Sequence, residues 1–167
     1  MNPYGKPQTT SPGDHHRNRS DQSSAPSLDG LWPDYLKGGY FDGQGNLKIE
    51  YVSREKVEPL VKAMCLERGG LTTHQIRRYF GHCRAVETRC KASGAAWASV
   101  WPEVKKLDVA AADGAAKQPP KIPPLFRDFI RRNVDAIQTQ KDFLNGFLPH
   151  FEALVGFGQA HFKKERN

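Results

Sequence analysis

The residues best suited to meeting a ligand fall on one predicted helix. From Thr72 onward, His74, Arg78, His82 and Arg89 form one stripe, and Arg77, Arg84 and Lys91 form a second. Spacings of three, four or seven residues set each stripe on one side of a helix. Arginine presents a planar fork of donors that suits phosphate oxygens and stays charged at neutral pH. The nearest acid, Glu87, is expected nearer the apolar side. The free helix N-terminus adds partial positive charge near Thr73 and His74. Arg127, Arg131 and Arg132 supply further positive charge on another predicted helix. Such a surface suits a phosphate backbone. The plainer alternative is a solvated basic face.

Other chemistry finds less support. Cys65, Cys83, Cys90, His74 and His82 contain no C-x-x-C pair, and Cys83 and Cys90 share the apolar face of their helix. They are expected as buried structural thiols, with no metal and no cofactor. No nucleophile elbow, phosphate-cradling glycine loop or H-E-x-x-H occurs, so no catalytic residue is assigned. Asp108 and Asp113 have no base, metal ligand or oxyanion donor beside them in the alanine-rich stretch. The aromatics sit mostly on apolar helix stripes. Trp32, Tyr40 and Phe41 are exceptions that could stack on bases.

The elements that position these residues are helical. Ser53 is a candidate cap for a first helix, with Glu55 in its first turn and an apolar series from Val57 to Cys65. Pro59 predicts a kink or a late start, and Gly69-Gly70 a stop after Arg68. Thr72-x-x-Gln75 has the form of a capping box. It opens a helix whose apolar side is Ile76, Tyr79, Phe80, Cys83, Val86 and Cys90. A third helix spans Trp97 to Leu107 despite Pro102, with an alanine-rich extension. Four prolines between Gln118 and Pro124 form a connection. A fourth helix runs through Leu125 to Ile137, and a fifth through Phe143 to Phe162, weakened near Pro149 and Gly156/Gly158. Between Leu31 and Tyr51, turn dipeptides fit either a short hairpin or an irregular segment pinned by aromatics.

The fold class is therefore all-α: a single helical bundle of about five helices. Residues 1–30 are expected to be a disordered N-terminal arm and 31–167 the helical domain, because the arm has too little apolar surface to offset its ordering entropy. The formal net charge of +7 and sequence pI of about 9.4 favour an anionic partner. No segment approaches the roughly 20 apolar residues of a membrane span, and the N-terminus lacks the apolar region of a signal peptide. A cytoplasmic protein with reduced thiols is expected.

Two stretches carry a family resemblance: Gly39-Tyr-Phe-Asp-Gly-Gln-Gly-Asn-Leu-Lys-Ile-Glu-Tyr-Val52 and Leu71-Thr-Thr-His-Gln-Ile-Arg-Arg-Tyr-Phe80. With Phe151-Glu-Ala-Leu-Val155, they resemble the small subunit of type III-A CRISPR effector complexes, the Csm complexes, from about Gly39 to Phe162. The chain departs from that pattern after the third helix: 109–114 read VAAADG, and Lys117 is the next basic residue.

The resemblance implies a non-catalytic, all-helical subunit in antiviral defence. Several copies would stack as a filament beside the backbone subunits and the large subunit, along the duplex of guide RNA and target RNA. On the motif, Gln75 matches as cap, Arg77 and Arg78 as RNA ligands, and Ile76, Tyr79 and Phe80 as core. Lys48 matches the first stretch. Arg84 and Arg89 follow from helical geometry, and Arg127 and Arg131 join them as candidate RNA contacts. The rival reading is a helix-turn-helix DNA-binding regulator with 71–80 as its recognition helix.

Overall fold

A computed structural model of the chain describes residues 25–92 and 94–164. Residues 1–24, most of the expected arm, lie outside the described residues. The described structure is all-α. Its elements are α1 (Leu28–Leu31), α2 (Arg54–Leu66), α3 (Thr73–Lys91), α4 (Trp97–Ala116), α5 (Pro124–Ala136) and α6 (Leu148–Gly158), with a 3-10 turn at Ile49–Tyr51. Among the described residues the only β pairing is two isolated bridges, Phe41 with Leu47 and Thr72 with Lys163. The five longer helices correspond to those expected, and α1 adds one capped turn. There Ser27 Oγ accepts the Gly30 N–H at 3.0 Å, and Leu28 is buried.

Packing sets the bundle: α4 lies on α3 and α5, and α6 on α2 and α3. The centre is aromatic, with Phe126, Phe129, Phe143, Phe147 and Phe151 all fully buried. The lead-in between α1 and α2 is irregular rather than a hairpin. Trp32, Tyr35, Tyr40 and Tyr51 are buried and pack as a cluster of rings. Trp32 and Tyr40 are thus core residues and offer no face to a base. Phe41 is half-buried, with Lys141 Nζ 4.5 Å from its ring centre.

Two prolines lie inside helices: α2 has no late start at Pro59, and α4 runs through Pro102 as expected. Pro59 and Pro102 each occupy the sixth position of their helix, α2 and α4. Both are exposed, so the carbonyl each leaves unpaired can turn to water. Ser53 is at the N-cap position of α2, but its hydroxyl donates to the Glu50 carbonyl at 3.3 Å instead of capping. That helix also stops at Leu66, so Arg68 falls outside its last turn.

The last helix is shorter than its apolar pattern. A π-helical stretch, Asp142–Phe147, runs directly into α6. It lies just before Pro149, which has no N–H to return to the carbonyl four residues back. The wide turn brings Gly146 against Tyr40; a Cβ there would come within 2.5 Å of Tyr40 Cγ. Phe162, expected on the helix, lies beyond its end. The chain turns after Gly158 and folds the Phe162 ring back over that glycine.

Candidate nucleic-acid interface

α3 begins as its sequence predicts. Thr72 Oγ1 accepts the Gln75 N–H at 3.2 Å, and Gln75 Oε1 accepts the Thr72 N–H at 2.9 Å, a complete capping box. The Gln75 amide also donates to the Lys121 carbonyl. Ile76, Tyr79, Cys83, Val86 and Cys90 are buried along one side. Phe80 is only half-buried, roofed by the Arg84 guanidinium 5.1 Å from its centre.

The basic stripes divide in two. In the second half of α3 they are matched by acids. Arg84 meets Glu87 at 2.6 Å and Glu152 of α6 at 3.1 Å. Arg89 meets Glu103 of α4 at 3.3 Å, and Lys91 also pairs with Glu87. His82 Nε2 is 2.7 Å from the Glu103 carbonyl. The expectation of little neutralising acid fails here, because Glu103 and Glu152 come from other helices. Lys91 and Arg84 together hold the Glu87 carboxyl below its ordinary range.

In the first half, Arg77 and Arg78 are exposed and make no ion pair among the described residues. Three other segments converge on that end of the bundle. The α2–α3 turn brings Arg68. The α4–α5 connection brings Lys121, with Gly69 packed on Pro120. Gly69 has a φ of 75°, which glycine adopts without strain. The C-terminal segment runs alongside: Thr73 N–H donates to the Lys163 carbonyl at 3.2 Å, and Lys163 N–H to the Leu71 carbonyl at 3.1 Å.

Between α3 and this segment lies an open cleft of about 440 Å³, lined by Thr73, His74, Arg77, Gln159, Phe162 and Lys164. Glu67, an acid at this end, is half-buried and accepts the Leu125 N–H at 3.1 Å. Burial raises its pKa, against the opposing Leu125 N–H. Asp113 is paired with Lys117 at 2.7 Å. The result is a composite cationic end.

The remaining candidates are placed elsewhere. Arg127 is half-buried and bonded to Asp128 at 2.8 Å. Arg131 is exposed one turn further along α5. Lys48 Nζ donates to the Gly39 carbonyl at 3.1 Å and the Lys37 carbonyl at 3.5 Å, tying the lead-in to itself. Arg68, Lys121, Lys163 and Lys164 escape a reading of the sequence by pattern. They lie in turns and near the chain's end, where no periodicity marks a face.

The three cysteines are free and buried, and burial raises the thiol pKa of Cys65 to about 11. Among the described residues no cluster of His, Cys, Asp and Glu could hold a metal ion. No described helix is long and apolar enough to cross a membrane.

A family model described as Csm2 Type III-A matches residues 58–164. The match covers α3 and the whole cationic end, and omits the Gly39–Val52 stretch. No curated protein and no solved structure matches the chain.

Proposed function

Since the chain belongs to the Csm2 Type III-A family, the small subunits of type III-A CRISPR effector complexes, we propose that its cationic end contacts the backbone of the guide RNA–target RNA duplex. Several copies stack as a filament beside the backbone subunits and the large subunit, in the cytoplasm, as part of antiviral defence. The subunit itself carries no catalytic group. Base pairing reads the target sequence, so the protein needs only phosphate contacts and the shape of an A-form duplex. The observation carrying this reading is the convergence of Arg77, Arg78, Arg68, Lys121 and Lys164 on one end, where the nearby acids are half-buried or already paired.

Arg77 and Arg78 lead among the ligands, with His74 and Lys164 beside them in the cleft. Arg84 and Arg89, occupied by carboxylates, are secondary, and Lys48 and Arg127 serve the fold. Arg131 remains available as a separate, weaker contact. One copy makes few contacts, and useful affinity arises from several copies on one duplex. The experiment is RNA binding by the reconstituted complex over a range of salt, with Arg77→Ala and Arg78→Ala together. Weaker binding with a shallower salt slope supports the assignment; unchanged affinity and slope in a folded variant remove this end from the RNA surface.

The helix-turn-helix alternative finds no favouring geometry. Such a motif packs its two helices on each other across a turn of three or four residues. Here residues 67–72 separate α2 from α3, and α2 packs chiefly on α6 whereas α3 packs chiefly on α4 and then on α6.

A further inference from the structure

The cleft beside the start of α3 contains one group that a phosphate cannot use. Most of its polar lining donates hydrogen bonds. The Arg77 guanidinium and the Lys164 ammonium do nothing else, and the Thr73 hydroxyl and His74 imidazole can each turn a hydrogen toward an anion. Gln159 differs. It is exposed at the C-cap of α6, and its amide nitrogen donates to the Val155 carbonyl, one turn earlier, at 3.3 Å. Only the nitrogen of the amide can make that bond, so the helix end sets which way the amide points. Its Oε1 accepts no hydrogen bond among the described residues. An acceptor with no protein partner therefore stands beside two cations.

The sugar–phosphate chain of a nucleic acid offers that oxygen a single match. Phosphodiester oxygens accept hydrogen bonds and donate none, so facing Oε1 they would set acceptor against acceptor. Deoxyribose within a strand adds no donor. The ribose 2′-hydroxyl does donate, and it is the group by which a protein tells RNA from DNA along a backbone. It is carried on the same nucleotide as the phosphate, so one cleft can hold both. The volume of about 440 Å³ falls in the range of roughly 300–1,000 Å³ that takes small molecules. That is room for one sugar–phosphate unit, and the open side lets the strand continue. Phe162, folded over Gly158, gives the cleft an apolar patch for the carbon face of the sugar.

We propose that this cleft seats one ribose–phosphate unit of RNA, with Gln159 Oε1 accepting from the 2′-hydroxyl while Arg77 and Lys164 hold the phosphate. This rests on the RNA reading of the cationic end and adds to it a residue that selects RNA over DNA. Gln159 is uncharged and displaces no counterion from the strand, so its effect falls on sugar preference and leaves the salt slope alone.

The test is a double-mutant cycle in the reconstituted complex. Wild type and Gln159→Leu are each measured against strands carrying ribose or 2′-fluoro sugars, with the guide and the target substituted separately. The 2′-fluoro sugar keeps the A-form pucker but lacks the donor, so it separates the hydroxyl contact from recognition of duplex shape. Wild type is expected to prefer ribose in one of the two strands. Gln159→Leu is expected to narrow that preference by at least about twofold, the worth of one weak neutral hydrogen bond, with salt slope and helical circular dichroism unchanged. A ribose preference that Gln159→Leu leaves intact in both strands overturns the proposal. If Arg77→Ala with Arg78→Ala still weakens binding in that case, the RNA reading stands without it; if those arginines have no effect either, both fall.

Discussion

The Arg84 guanidinium of α3 stands 3.1 Å from the Glu152 carboxylate of α6. This contact, with Glu87 at 2.6 Å on the other side, separates two kinds of arginine on one helix. Arg77, seven residues earlier on the same stripe, has no such partner among the described residues. An arginine already matched gains less from a phosphate, because its carboxylates must be displaced or left facing the anion.

Arg84→Ala should therefore change RNA affinity by less than about twofold, a small effect beside one good phosphate contact. Its cost in stability should be small, as for exposed ion pairs. A filter-binding series and a denaturant titration check both. A fall in RNA affinity as large as that of the Arg77→Ala, Arg78→Ala pair would place Arg84 on the RNA surface.

Phe151 and Phe80 should differ as core residues. Phe151 is fully buried among Phe126, Phe129 and Phe147, so Phe151→Ala should cost about 3–5 kcal/mol. Phe80 keeps one face under Arg84 and partly open to solvent, so Phe80→Ala should cost roughly half as much. Equal losses in chemical denaturation would contradict the burial difference.

How far the sequence reveals this arrangement depends on whether the information is local. The start of α3 is legible because Thr72 and Gln75 cap each other within one turn, and its core face because five residues repeat at helical spacing. Phe80 misleads because periodicity places a side chain on a face without saying how far the neighbouring helix covers it. The acids that occupy Arg84 and Arg89 are invisible for the same reason: Glu152 and Glu103 reach α3 only through packing. Half of the cationic end is hidden too, since Lys121, Lys163 and Lys164 sit in segments without periodicity. Pro59 misleads as a late start because a proline's effect depends on whether the freed carbonyl meets water.

The buried polar chain predicts an acid-sensitive fold. Tyr40 donates to Asn133 Oδ1 at 2.9 Å, Asn133 Nδ2 to Tyr35 Oη at 2.7 Å, and Tyr35 to His150 Nε2 at 2.6 Å. His150 Nδ1–H completes it at the Tyr51 carbonyl, 2.6 Å away. The two links to His150 use a neutral imidazole. Burial lowers the His150 pKa to about 4, against the opposing pull of the Tyr51 carbonyl. Well above pH 6.5 neither folded nor unfolded chain protonates this histidine, and its full contribution is present. As pH falls from 6.5 toward 4, the unfolded chain takes up the proton first and stability drops, by up to about 3 kcal/mol. Melting curves across that range should show the loss, and His150→Gln, though less stable, should show a shallower slope. Equal slopes would remove His150 as the cause.

The capping box gives a smaller, local prediction. Thr72→Ala removes the acceptor for the Gln75 N–H and should cost about 1 kcal/mol. Thr72→Ser should retain most of it, by the same melting assay.

The central claim is that the cations at the start of α3 meet the RNA backbone, and the salt dependence of binding tests it most directly. With Arg77→Ala and Arg78→Ala in every copy of the small subunit, the assembled complex should hold the guide–target duplex more weakly. Its slope of log affinity against log salt should be shallower by about one for each phosphate that the arginines of a copy no longer neutralise. A variant that assembles normally and shows the wild-type affinity and slope would contradict the account.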